Sequence, residues 1–318
     1  MWIAQRVHTE QVLIATGVSP ERVLVDNAPA PRLDKSSVIL IPYADNLNVC
    51  GLDQGLVQQM KDKAVSHLQS LGFRVHEEME ASPKVHSLGF EVDGVAGVVR
   101  PIKEKLTKVI ATFLWMSRRP RLTGRAVEKL IGHATHFMLL RRELLSIFRH
   151  LYTFIQTCYT KRTRLWPEAA REARWAAWLL RLCSADLRKT WDREITASDA
   201  SLSGIAVCKR SLDECDIQQL GKFKEAWRFK VKHPKDRPRD QLSDSLDPFN
   251  DIESVLPVNM AEWDPFELDY SFPSVSDDVV KPSEWSLCFN THMQLPEHIT
   301  LLEGRGFVAS VRHKLRAC

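Results

Sequence analysis

The chain has 318 residues, 44% of them apolar, enough for roughly two domains with packed cores. No apolar run reaches the ~18 residues that a membrane span requires, and MWIAQRVHTEQVLIATG has early charges and no small-residue cleavage pattern, which argues against a secretory leader. Seven cysteines are scattered without a C-x-x-C pair or zinc-type spacing, which predicts reduced thiols in an intracellular protein, nuclear or cytoplasmic.

The net charge of +4 conceals a partition. Residues 1–99 carry 8 Lys/Arg against 12 Asp/Glu, residues 100–193 carry 21 against 7, and residues 194–318 carry 15 against 21. A middle segment this basic is either a solvated helical face or the footprint of a polyanion.

The opening residues read as the end of an amphipathic helix. Asp26 and Asp34 fall in the Pro-rich LVDNAPAPRLD, a loop. Residues 37–51 predict two short strands joined at Asp45-Asn46. An acidic residue at such a tip has two explanations. Asp and Asn tolerate left-handed turn angles, or a carboxylate on a rigid hairpin tip holds a metal ion. Asp53 is placed to cap a helix over 54–71, with Leu56, Met60, Ala64, Leu68 and Leu71 on one face and Gly72 ending it. A short strand is predicted at 73–76. Asp93-Gly94 then predicts a two-residue hairpin turn, so the order is hairpin, helix, strand, hairpin: an α+β layer.

From Pro101 the pattern becomes helical. Pro101 suits the first turn of a helix over 102–116. Thr123 is placed to cap a longer helix over about 124–157, and a third spans 167–184. Arg118, Arg119, Arg121, Arg125, Arg141 and Arg142 are expected to cluster around the junction of the first two. ITASDASLSGIAVC then predicts a strand with Asp199 inside it. Asp is disfavoured in strands, so this position is either a bulge or strand end near Gly204, or a site. Residues 233–284, rich in Pro, Asp and Ser, predict a long loop or disordered insertion. Structure is expected to resume at EWSLCFN and to close on a strand-to-helix passage with Glu303 near the helix start.

YADN on a hairpin tip resembles the Tyr-x-Asp-Asp motif of reverse transcriptases. RPIKEKLTKVIATFLWMSRRPRLTGRAVEKLIGHATHFMLLRRELL resembles the thumb of retrotransposon reverse transcriptases. ITASDASLSGIAV is similar to the first strand of a tethered RNase H domain, and HITLLEGRGFVASVRH to its first helix. The order palm, thumb, connection, RNase H matches retroelement polyproteins of the DIRS or a related type.

The resemblance implies a partial palm over 1–100, a helical thumb over 101–160, a helical connection over 161–193 and a partial RNase H-like α/β domain over 194–318, with its acidic insertion at about 233–284. It implies RNA-directed DNA polymerase and ribonuclease H activity on RNA and DNA, with no membrane partner. Such chemistry uses Mg²⁺ ions held by clustered carboxylates. By resemblance Asp45 is a palm metal ligand, Tyr43 supports the primer end or the tip, and Asp199 and Glu303 are RNase H metal ligands sharing one site. Asn46 stands where the motif has a second aspartate, keeping an oxygen ligand and losing a charge.

The palm's motif A aspartate, an intact motif B, the fingers and the later RNase H acids are not found. The chain is therefore expected to be truncated at both ends and inactive by itself, with no metal bound as one outcome. The alternatives are a catalytically dead RNA- or DNA-binding remnant that uses the basic thumb, and a non-functional gene fragment.

Overall fold

The computed structural model describes residues 2–26, 28–43, 46–231, 266–292 and 298–317. It is a mixed α+β molecule with several small sheets. Among the described residues, no helix is long and apolar enough to cross a membrane.

The first layer joins α1 (Trp2–Thr16), the antiparallel hairpin β1 (Val38–Tyr43) and β2 (Asn46–Gly51), and α2 (Gln54–Ser70). Asp53 caps α2 as the sequence predicts, accepting from the Leu56 amide at 2.8 Å and so satisfying a free first-turn donor. Ala64 of α2 meets Val12, Val23 and Leu40 in a small core, with Leu68, Leu47 and Val49 packed around it. Gly72 ends the helix at φ +83°. Leu71, expected on the apolar face, is exposed.

Residues 73–76, predicted as a strand, form none. The next sheet is built from β3 (Lys84–Ser87), β4 (Phe90–Asp93), β5 (Val98–Pro101) and, further along the chain, β8 (Ala185–Asp186), in the order β3-β4-β5-β8. The tight turn lies at Leu88-Gly89, both with positive φ (50° and 85°). This combination suits the twist of a two-residue hairpin. Asp93-Gly94 instead opens a wider loop, in which Asp93 Oδ1 accepts from the Ala96 amide at 2.7 Å. Pro101 closes β5 opposite Phe90 and does not begin the helix.

The main core belongs to a helical bundle of α3 (Lys103–Met116), α4 (Gly124–Met138), α5 (Arg149–Thr157) and α6 (Pro167–Leu179). Phe113, Met116, Val127, Met138, Phe148, Leu151, Phe154 and Leu165 are buried in it, together with the alanines of α6. The single helix expected over about 124–157 is broken. A 3₁₀ passage, Leu139–Ile147, intervenes, and Arg141 there has φ −143° and ψ 71°. Two short ladder strands, β6 (Arg121–Leu122) and β7 (Thr163–Arg164), tie the start of α4 to the segment following α5.

The last layer is a three-stranded antiparallel sheet in the order β13-β10-β9, built from β9 (Glu194–Ala200), β10 (Gly204–Ser211) and β13 (Ser286–His292). The long helix α9 (Ile299–Ala317) packs on β9 and β10. Between β10 and β13 lie α7 (Glu214–Gly221), β11 (Phe229–Val231), β12 (Phe266–Leu268) and α8 (Asp277–Val280). Part of the predicted insertion is thus regular structure. Residues 266–268 pair with 229–231, and Arg210 Nη1 donates to the carbonyls of Asp278 and Val279 in α8. The remainder of the insertion, up to residue 265, lies outside the described residues.

Candidate nucleic-acid interface

The helical bundle gathers positive charge at one end. α3 stops at Met116, and the chain turns through Arg118, Arg119 and Pro120 into β6. Gly124 opens α4 against the end of α5, its amide donating to the Cys158 carbonyl at 2.7 Å, and the Arg125 amide donates to the Tyr159 carbonyl at 3.0 Å. A Cβ on Gly124 would stand 2.5 Å from the Ile155 carbonyl oxygen, so only glycine permits this approach. β6 lies beside β7 with Arg121 opposite Arg164. Arg118, Arg121, Arg125, Lys161, Arg162 and Arg164 therefore converge, all of them exposed.

Among the described residues, none of these six side chains is ion-paired with a carboxylate. Glu128, on α4 nearby, accepts from the Tyr159 hydroxyl at 3.0 Å, and this bond raises the phenol's pKa. Uncompensated, exposed and convergent cations suit a phosphate backbone.

The arrangement revises the sequence expectation in two ways. Arg119 is a brace: at φ 60°, its Nε donates to the Leu165 carbonyl at 2.9 Å, and Arg164 Nε donates to the Arg119 carbonyl at 3.3 Å. Arg141 and Arg142 follow the far end of α4, which is 15 residues long, about 22 Å away at 1.5 Å per residue. They do not join the cluster, and Arg141 is half-buried with Nη1 3.7 Å from Glu143. Lys161, Arg162 and Arg164 were not singled out from sequence. The run KRTR was visible, but its pairing with residues 121–122 is a contact across the whole of α4 and α5.

Of the residues assigned to metals by resemblance, Asp45 lies outside the described residues. Asn46 opens β2 opposite Tyr43. Asp199 is exposed in β9 opposite Ala206, its Oδ1 accepting from the Ala200 amide at 2.9 Å. Glu303 is exposed on α9. α9 runs antiparallel to β9: the Ser310 hydroxyl bonds Thr196 Oγ1 at 2.8 Å, Lys314 Nζ lies 3.0 Å from Glu194, and a Cβ on Gly306 would meet Ser198 Cβ at 3.7 Å.

Glu194, Thr196 and Ser198 thus face the helix. Strand side chains alternate, so Asp199 projects from the other face of the sheet. The same face holds Ala206, its partner on β10, while Ile205 and Val207 are buried, with Ile205 Cγ2 3.1 Å from that Gly306 Cβ. Asp199 and Glu303 lie at corresponding ends of strand and helix.

No protein-family model matches the chain, and no match to a characterised protein is significant.

Proposed function

We propose that this chain binds RNA, DNA or an RNA–DNA hybrid as the thumb-and-connection part of a retroelement-derived reverse transcriptase, gripping the phosphate backbone at the basic end of the helical bundle. The observation that carries this reading is the convergence of Arg118, Arg121, Arg125, Lys161, Arg162 and Arg164, with no ion-pairing carboxylate among the described residues. The palm, thumb and RNase H resemblances, in family order, add to it. Binding is the activity proposed, because the basic end carries the reading without a metal site.

The test is titration of a short RNA–DNA hybrid over a range of salt concentrations. If all six cations engage phosphates, the slope of log K against log salt is about −5. The triple variant R121A/R125A/R164A should weaken binding uniformly across sequences and make the slope shallower by about three. Binding that ignores both salt and these substitutions would overturn the proposal.

A further inference from the structure

Helix α6 uses its side chains in reverse. Its buried face is made of small residues, Ala169, Ala170, Ala173, Ala176 and Ala177, with Leu180 just beyond, while Trp175 and Trp178 are 49% and 57% exposed. Tryptophan is usually among the most buried side chains on average, and here alanines take the core. The two indoles do not stand alone. The Arg171 guanidinium lies over the Trp175 ring at 5.6 Å, and that of Arg181 over the Trp178 ring at 4.7 Å. Arg174 is exposed between them.

Positions 171, 175, 178 and 181 follow helical spacing, so the four side chains form one stripe. It extends about 15 Å along the axis. From 173 to 185 the sequence holds no Asp or Glu, and the acidic residue on the turn before, Glu172, is turned inward and buried. The helix that carries the stripe starts at Pro167, shortly after Arg164 of β7.

We infer that the Arg171–Trp175–Trp178–Arg181 face, on α6 and the 3₁₀ turn that follows it, is a stacking platform for unpaired nucleotides. This extends the nucleic-acid reading to a second surface and to a single strand leaving the gripped duplex. The occupant follows from two features together. Three arginines without a carboxylate partner among the described residues call for a polyanion, and flat, exposed indoles call for something with a π-face. A single-stranded nucleic acid has both, whereas a duplex hides its base faces in the stack. Stacking on aromatic side chains tolerates any base, and arginine adds cation–π and phosphate contacts.

The experiment compares two probes of equal charge on the full chain: a short fluorescent oligothymidylate and an abasic oligonucleotide of the same length. The wild type should bind the oligothymidylate about tenfold more tightly or better. W175A/W178A should lose that ratio, and W175F/W178F, which keeps aromatic faces, should retain most of it. R121A/R125A/R164A should weaken both probes alike and leave the ratio standing, so loss of hybrid binding and loss of base stacking are read separately. Equal affinity of the wild type for the two probes would overturn the inference, as would a ratio that survives W175A/W178A. Self-association of the wild type that W175A/W178A abolishes, with the ratio unchanged, would assign the stripe to a second copy of the chain and overturn it as well.

Discussion

The carboxylate of Glu172 is almost fully buried, and both of its oxygens are engaged. Oε1 accepts from the His150 amide at 2.9 Å and lies 2.7 Å from His150 Nδ1, while Oε2 accepts from the Leu151 amide at 2.9 Å. Phe148 caps α5 without a side-chain hydrogen bond, and two first-turn donors of that helix are satisfied by a residue from α6. E172A would leave two amides without acceptors, at a cost of about 3 kcal/mol. E172Q keeps one acceptor oxygen and should lose less. Urea midpoints, with unchanged slopes, check the ranking.

Glu91 gives the corresponding pH prediction. The Arg100 guanidinium, with Nη2 at 2.6 Å, holds its carboxyl at about 2 against some opposing desolvation, helped by Lys84 and His86. A depressed folded value means that the stabilisation is complete above the ordinary 4.5 and is lost as pH falls through about 2. The melting temperature of wild type should therefore exceed that of E91Q near neutrality and converge on it in that acid window.

Glycine substitutions along α4 separate docking from propensity at the scale of the element. Gly124 meets the backbone of Ile155 and Tyr159, whereas a Cβ on Gly132 would have nothing within 4 Å. G124A should destabilise by about 1–3 kcal/mol through overpacking against backbone. G132A, exposed and mid-helix, should stabilise by about 0.5–1 kcal/mol. Denaturant unfolding of the two variants should therefore shift in opposite directions.

The start of α4 was legible because Thr123 is a capping residue followed by helical apolar spacing, and the structure finds its hydroxyl accepting from the Ala126 amide at 3.3 Å. The break at Arg141 was not. No Pro or Gly marks it, and the apolar period of the sequence runs on through the 3₁₀ passage. Likewise Asp93-Gly94 advertised a tight turn, while the actual one used Leu88, a residue type that gives no sign of positive φ. Caps and apolar faces are local chemistry and can be read in one dimension. Kinks, and the face on which Asp199 projects, are set by packing partners distant in the chain.

Over the whole molecule, the charge partition visible in the sequence becomes a basic end on the helical bundle and an acidic stretch further along. Residues 266–284 contribute β12 and α8 and are anchored by Arg210, so removing them would disturb the sheet. Residues 240–265 hold 7 Asp/Glu and no Lys or Arg. Deleting only this stretch changes the net charge from +4 to about +11, and a more positive molecule attracts a polyanion more strongly from a distance. Affinity for a short RNA–DNA hybrid should rise at low salt, and the gain should shrink as the screening length falls from about 30 Å at 0.01 M to about 8 Å at 0.15 M. A gain that persisted at high salt would require direct occlusion of the basic end and not a field effect. An unchanged affinity at low salt would leave the acidic stretch a solubilising one, without influence on the surface formed by Arg121, Arg125 and Arg164.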